Sequence, residues 1–491
     1  MRIPLTLPAV LLAAALAGCA GAGTTSSSVA ASTQASPSRP TPSTEQPAND
    51  VTPDARSAPV AQPAALTRSA STSELPCPTA NSQPDAQRPR VSASISVSDG
   101  LVVGTETIVF TPDLYVSQIV LRLWAAAPRP TRGGSSIAIT STRINGVART
   151  SQRTSPTVLR IPVNAAAGTR MTIEVGFRLR LPVGINDRFG HRGTTAWFGS
   201  GLPLLAWERG RGWALEPATS AFAEATSSEA MELTSLKVTR AAGLSVVAPG
   251  RLVADDGRTA EFAARSVRDI AVAVGAFRTA SASAAGKTVA AGVAPGVSDD
   301  PGATAREMAR ALGRHASRFG PFPFERLAVA ILPDIRGGIE YPGVILQGTG
   351  QIDDATASHE VAHMWFYGLV GNNQGRNPWL DESFATYAEG LDRGTAPAYL
   401  RMTIPVEGQR HVREPMAFWE SRQSIYFRSV YIQGAQGLLR GRSAAGTAAF
   451  DRAIGCHVRR SAHRITVPND VAQSLRHLPA AIRELQRVGA F

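Results

Sequence analysis

The chain is 491 residues long, 43% hydrophobic and 18% charged, which is ample for buried cores and fits two or three domains. Its net charge of +12 is carried almost wholly by arginine, Lys237 and Lys287 being the only lysines. No run of arginines interleaved with aromatics and no zinc-finger or helix-turn-helix pattern accompanies that charge. A nucleic-acid partner is therefore not expected, and the excess reads as an arginine-rich solvated surface.

The first elements belong to export. "MRIPLTLPAVLLAAALAGC" has one basic residue, an apolar run from Ile3 to Leu16 that is too short to span a bilayer comfortably, and small residues ending in Cys19. Residues 1–19 read as a secretory signal, and Leu16-Ala17-Gly18-Cys19 resembles a bacterial lipobox in which the cysteine receives the lipid. The expectation is a lipid-anchored protein on the extracytoplasmic side of the cell membrane. In that oxidising setting the remaining cysteines, Cys77 and Cys456, are expected to close a disulfide. Residues 20–75, rich in Ala, Ser, Thr and Pro, cannot bury enough surface to offset their ordering entropy and read as a disordered tether.

From 85 to 283 the pattern has period two. "VSASISVS" (91–98), "IVLRLW" (119–124), "VLRIPV" (158–163), "MTIEVGFRLRL" (171–181), "LSVVAP" (244–249) and "RDIAVAVG" (268–275) are separated by Gly- and Pro-rich turns. So many short strands predict an all-β sandwich or saddle-shaped sheet, with Trp197, Trp207 and Trp213 as packing residues. Beyond 284 the period lengthens. "TAREMARALGRHASRF" puts Ala305, Met308, Ala309, Leu312, Ala316 and Phe319 on one stripe of a helix, and "LAVAIL" (327–332) reads as a buried strand. The chain is thus multidomain α+β, an N-terminal β-rich domain (85–283) followed by a mostly helical one (284–491).

The chemistry concentrates in "HEVAHMWF" (359–366). His359 and His363 lie one helical turn apart and can address one ion, while Glu360 between them stands where it can take a proton from a water. Phe366 and Leu369 occupy the positions where an extended histidine motif needs Gly and His, so a third ligand must come from elsewhere. "NPWLDESFATYAEG" (377–390) opens with Pro378 and early acids, reads as a helix, and carries Glu382.

This arrangement, H-E-x-x-H followed after eighteen residues by a Glu in a W-L-x-E-x-F-A-T-Y setting, resembles the M1 family of zinc aminopeptidases (gluzincins). "GGIEYPG" (337–343) resembles the family's G-x-M-E-N segment, and "VYIQGAQGLLR" (430–440) its Tyr-x-Lys-Gly segment. The resemblance covers roughly residues 85–491 and implies a thermolysin-like catalytic domain. It implies one Zn²⁺ per chain, held by His359, His363 and Glu382, with Glu360 as general base and Tyr431 as hydrogen-bond donor to the oxyanion. It places Glu340, with Gly337 and Gly338, at the free α-ammonium of a peptide substrate. Tyr426 is the rival to Tyr431 but lacks a glycine three residues on.

Departures from the family pattern are Ile339 for Met, Tyr341 for Asn, Gln433 for Lys and Ser383 for Gly. The chain also ends about a hundred residues after Glu382, so the large C-terminal helical domain of longer members is not expected and a more open cleft is. Thr386 is a weak candidate for supporting the metal ligands, and His191, His315, His411, His457, His463 and His477 are expected at surface or structural positions. The function expected is a peptidase acting on free N-termini. An endopeptidase is the alternative that an N-blocked peptide would reveal, and a non-enzymatic binding lipoprotein is the third reading.

Overall fold

The computed structural model describes residues 73–220, 228–350 and 354–491, so Cys19, the signal and the tether up to residue 72 lie outside the described residues. Alternation decides the first half. In the strand Arg90–Ser98 the side chains of Val91, Ala93, Ile95 and Val97 are buried, and the serines between them are exposed or half-buried. A two-residue turn, with Asp99 at φ 50° and Gly100 at φ 70°, returns the chain antiparallel as Leu101–Phe110. On its other side Arg90–Ser98 pairs in parallel with Met231–Thr239. These are the centre of an eight-stranded sheet, which shares one apolar core with two four-stranded sheets. Trp197 and Trp207 are fully buried, and the half-buried Trp213 packs on Trp207 with ring centroids 4.7 Å apart.

The change of sheet comes before residue 283. Arg278–Ala284 pairs with Lys287–Val293 and so opens a separate, five-stranded sheet. Lys287–Val293, the buried Arg326–Leu332 and Val344–Gly348 run parallel in it. Its far edge is Gly338–Tyr341, antiparallel to Val344–Gly348 through a turn at Pro342 and Gly343, where Gly343 has φ 76°. The glycine-containing segment is therefore a hairpin, and its edge strand carries Glu340.

Helix Pro301–Phe319 packs against this sheet, with Pro301 in its first turn and the Asp300 carboxylate accepting the Ala303 N–H at 2.6 Å. Ala316, expected on its buried stripe, is half-buried; His315 takes that place, its Nε2 2.9 Å from the Ser358 carbonyl oxygen. Cys77 and Cys456 are joined as a disulfide. Around it Arg459 donates to the Pro78 carbonyl at 2.7 Å, and the Ser82 N–H to the Arg459 carbonyl at 2.7 Å. Residues 73–82 are thereby strapped to helix Thr447–Ser461. Among the described residues no helix is long and apolar enough to cross a membrane.

Candidate active site

Two helices and one strand edge build the site. Helix Asp354–Ala362 presents His359 and Glu360, and although it ends at Ala362 the His363 N–H still donates to the His359 carbonyl at 3.3 Å. The following turns are wider: the N–H groups of Gly368, Leu369 and Val370 donate to the carbonyls of His363, Met364 and Trp365, five residues back, at 2.8 to 3.1 Å. His363 Nδ1 lies 3.1 Å from the Phe366 carbonyl oxygen, so Nδ1 carries the proton and Nε2 keeps its lone pair. Helix Trp379–Arg393 brings Glu382 in its first turn.

The three ligand atoms form a nearly equilateral triangle. His359 Nε2 and His363 Nε2 are 3.1 Å apart, and each is 3.3 Å from Glu382 Oε2. Bonds of about 2.0–2.1 Å in a tetrahedron give edges of about 3.3 Å, so the triangle is the base of a zinc tetrahedron with one position left open. Two imidazoles and a carboxylate are also the donor set that zinc takes in hydrolytic sites. The residues fit one zinc ion.

Around this triangle the structure gathers the other expected groups. Glu360 is 5% exposed, and its Oε2 has no hydrogen-bond partner among the described residues. Burial pushes its carboxyl up to about 7, against the pull of the neighbouring histidines. Burial works the same way on Glu382, but there His363 and His359 more than offset it and hold the carboxyl far below the usual range. A Cβ at Gly338 would lie 2.3 Å from the Glu360 carboxyl carbon, so only glycine lets the edge strand come this close. Glu340, two residues on, offers a carboxylate oxygen within 4.8 Å of Glu360 and His363. Gly337 turns the chain into this strand with φ 80°. Tyr431 sits in a π-helical turn, Arg428–Ile432, its ring stacked on His359 with centroids 5.8 Å apart. Tyr426 is buried and meets Tyr431 edge-on.

No family model matches the chain. A segment of 89 residues is 33% identical to aminopeptidase N of Streptomyces lividans, spanning 16% of this chain and 10% of that protein. One of 83 residues is 34% identical to aminopeptidase O of Rattus norvegicus, with shares of 15% and 10%. The matched segments thus span about a tenth of these relatives. Among solved structures, an M1 zinc metallopeptidase variant of Deinococcus radiodurans bound to a Tyr-Ser-Ala substrate superposes with a TM-score of 0.63 at 19% identity, covering 84% of this chain and 96% of that one. A two-domain M1 zinc metallopeptidase variant bound to L-tryptophan gives 0.59 at 17% identity, covering 83% and 96%. The fold is that of the M1 zinc metallopeptidases.

On this M1 fold several groups stand out that periodicity and motif did not single out. Gln374, in the loop before the Glu382 helix, donates to Glu340 Oε1 at 3.1 Å and to Asp381 Oδ2 at 2.9 Å. Asp381 is fully buried, and burial together with the Glu382 charge pushes its carboxyl up to about 8. Glu389 lies two turns after Glu382, 3.6 Å from His359 Nδ1, and accepts the Tyr399 hydroxyl. Glu389 could have been found by spacing, since seven residues return a helix to the same face.

One expectation changes, and two of the departures find their partners. The Thr386 hydroxyl donates to the Glu382 backbone carbonyl at 2.8 Å, one turn back in its own helix, rather than to a ligand side chain. Gln433, standing where the family has lysine, is buried. Its amide nitrogen donates to the Gly408 and Ser429 carbonyls at 2.8 and 3.1 Å. Ser383, in place of glycine, donates to the Val430 carbonyl at 2.8 Å and so ties the Glu382 helix to the turn that bears Tyr431.

Proposed function

We propose that this protein is a membrane-anchored, extracytoplasmic zinc aminopeptidase that releases N-terminal residues from peptides. The observation that carries the reading is the triangle of His359, His363 and Glu382 beside the unpartnered Glu360 oxygen, with a second carboxylate, Glu340, on the adjoining strand edge. Lipid anchoring at Cys19 rests on the lipobox-like residues 16–19 alone.

Zinc, when bound, supplies a Lewis acid that polarises the scissile carbonyl and makes a water acidic enough to react near neutral pH. The chain's own groups do the rest. Glu360, whose carboxyl is raised towards neutrality by burial, takes a proton from the attacking water and passes it to the departing amine as the C–N bond breaks. Tyr431 donates a hydrogen bond to the carbonyl oxygen as negative charge develops there. Glu340 accepts hydrogen bonds from the substrate's α-ammonium, which fixes the cut one residue from the N-terminus and disfavours blocked peptides.

The purified full chain, wild type and Glu360→Ala, should be given a panel of aminoacyl amides and their N-acetylated twins. Cleavage of free amines only, lost by at least about a hundredfold in the variant, is the expected result. Cleavage of the twins at equal rates would instead make the protein an endopeptidase. No cleavage by a chain carrying stoichiometric zinc would leave a binding protein on this fold. In the same preparations Cys19→Ser should move the protein out of the membrane fraction, and retention there would refute the lipid anchor.

A further inference from the structure

Glu340 is poorly placed to act as a ruler by itself. It is half-buried on the outermost strand of its sheet, and such a side chain keeps several rotamers unless something holds it. Among the described residues one side chain donates to it, the amide of Gln374 at 3.1 Å. We propose that Gln374 is the positioning residue that makes Glu340 an amino-terminal anchor, by fixing its carboxylate at a set distance from the zinc ligands. This rests on the aminopeptidase reading and adds to it the residue that sets substrate class.

The connection is continuous. The backbone N–H of Glu382, a zinc ligand, donates to Asp381 Oδ1 at 2.8 Å. Asp381 Oδ2 accepts one proton of the Gln374 amide at 2.9 Å, and Glu340 Oε1 accepts the other. Gln374 is 3% exposed, and its backbone is held on both sides. Asn373 before it donates to Glu208 and Glu216 at 2.6 and 2.8 Å, and the Gly375 carbonyl after it accepts the Met416 N–H at 2.9 Å. Nothing in this chain of contacts can slide without breaking a buried hydrogen bond.

The choice of an amide is chemically specific. Two carboxyl oxygens, Asp381 Oδ2 at 2.9 Å and Glu340 Oε1 at 3.1 Å, face one nitrogen, which serves both with its two N–H donors. A lysine or arginine would supply two donors but would also neutralise Glu340 and compete with the ammonium of the substrate. Glutamine donates twice and leaves the negative charge in place. It occupies Oε1 of Glu340 and leaves Oε2 for the ligand.

The test uses the purified, zinc-loaded full chain and measures kcat and KM for one good aminoacyl amide and its N-acetylated twin. Gln374→Leu should raise KM for the free amine about tenfold, the cost of one hydrogen bond to a charged group, with kcat and zinc content little changed. In a Glu340→Gln background the same substitution should add nothing, because the group it positions no longer binds an ammonium. Gln374→Lys keeps donors between the two carboxylates and so guards against a folding defect; it should raise KM at least as far. An equal penalty in the Glu340→Gln background, or joint loss of zinc and kcat, would show a merely structural glutamine and overturn the inference. So would an unchanged KM in both variants. Equal cleavage of the acetylated twin by the wild type would remove the aminopeptidase reading and this inference together, whereas wild-type discrimination with unaffected variants removes this inference alone.

Discussion

The strand Arg90–Ser98 and the segment 355–390 bury side chains by opposite rules. In the strand, burial follows the pleat: apolar residues go in, serines stay out or half-out, and the polar groups need no protein partner because water serves them. In the segment 355–390 every residue is buried except the half-buried Arg376, and the buried set includes Asn372, Asn373, Gln374, Asn377, Asp381, Glu382, Thr386 and Glu389. Such a segment has no solvent-facing side, so each polar group must find its own donor or acceptor inside the protein. Substitutions in the strand should thus be felt as lost contact area, and substitutions in the segment as broken pairings. The difference also locates function: groups poised for chemistry sit where polarity has been carried into the interior, most of them fixed by hydrogen bonds, with the Glu360 Oε2 left without one among the described residues.

The strongest test of that contrast is Asn373. Its amide donates to Glu208 and Glu216, and Arg376 also reaches both carboxylates. Asn373→Leu keeps the volume and adds apolar surface, which would be harmless on an apolar face. Here it leaves two carboxylates, Glu208 only 1% exposed, short of a donor. The expected loss is about 2–3 kcal/mol by chemical denaturation. Ser94→Ala, on the exposed face of the strand, should stay within about 0.5 kcal/mol. Comparable losses in the two variants would dissolve the distinction.

A smaller effect is expected at Glu389, where the pairing acts on the metal. Its carboxylate faces His359 Nδ1 at ion-pair rather than hydrogen-bond distance, 3.6 Å, and is itself anchored by the Tyr399 hydroxyl. Glu389→Gln should weaken zinc binding about tenfold, the lower end for a group that orients a ligating histidine, as read by competition with a chelator. Activity at saturating zinc should fall much less. Unaltered zinc affinity would reduce Glu389 to a helix-packing residue.

The same contrast explains what could be read from the residues. Alternation exposed the sandwich strands because one face of each meets water, and the fixed spacing of His359, His363 and Glu382 exposed the ligands because helical geometry translates number into direction. Neither signal operates where both sides are buried. Gln374 looks like an ordinary polar residue of a loop, and only the packing of Gly338–Tyr341 against the histidine helix gives it its partner, whereas Glu389 shares the helix face of Glu382 and was within reach of spacing. The hairpin that carries Glu340 is announced by Pro342 and Gly343 alone. Thr386 shows the reverse hazard, since a hydroxyl one turn from a ligand can satisfy itself on its own backbone.

Buried polarity should also leave a mark on pH dependence, and His457 is a clean place to read it. The ring lies behind the segment 355–390, stacked on Phe384, with Nδ1 3.0 Å from the Ser474 hydroxyl. Burial, aided by the Arg460 charge, pushes its pKa down from 6.5 to about 4. Between those values the unfolded chain binds a proton that the folded chain refuses, so stability falls as pH drops below 6.5; above 6.5 the group contributes no slope. The expected loss from this one ring is on the order of 1–2 kcal/mol by pH 5. His457→Gln keeps a polar group for Ser474 but cannot titrate, so the difference in stability between variant and wild type should shift in the variant's favour as pH falls from 7 to 5. Parallel curves over that range would mean that the ring opens to water and takes its proton without unfolding.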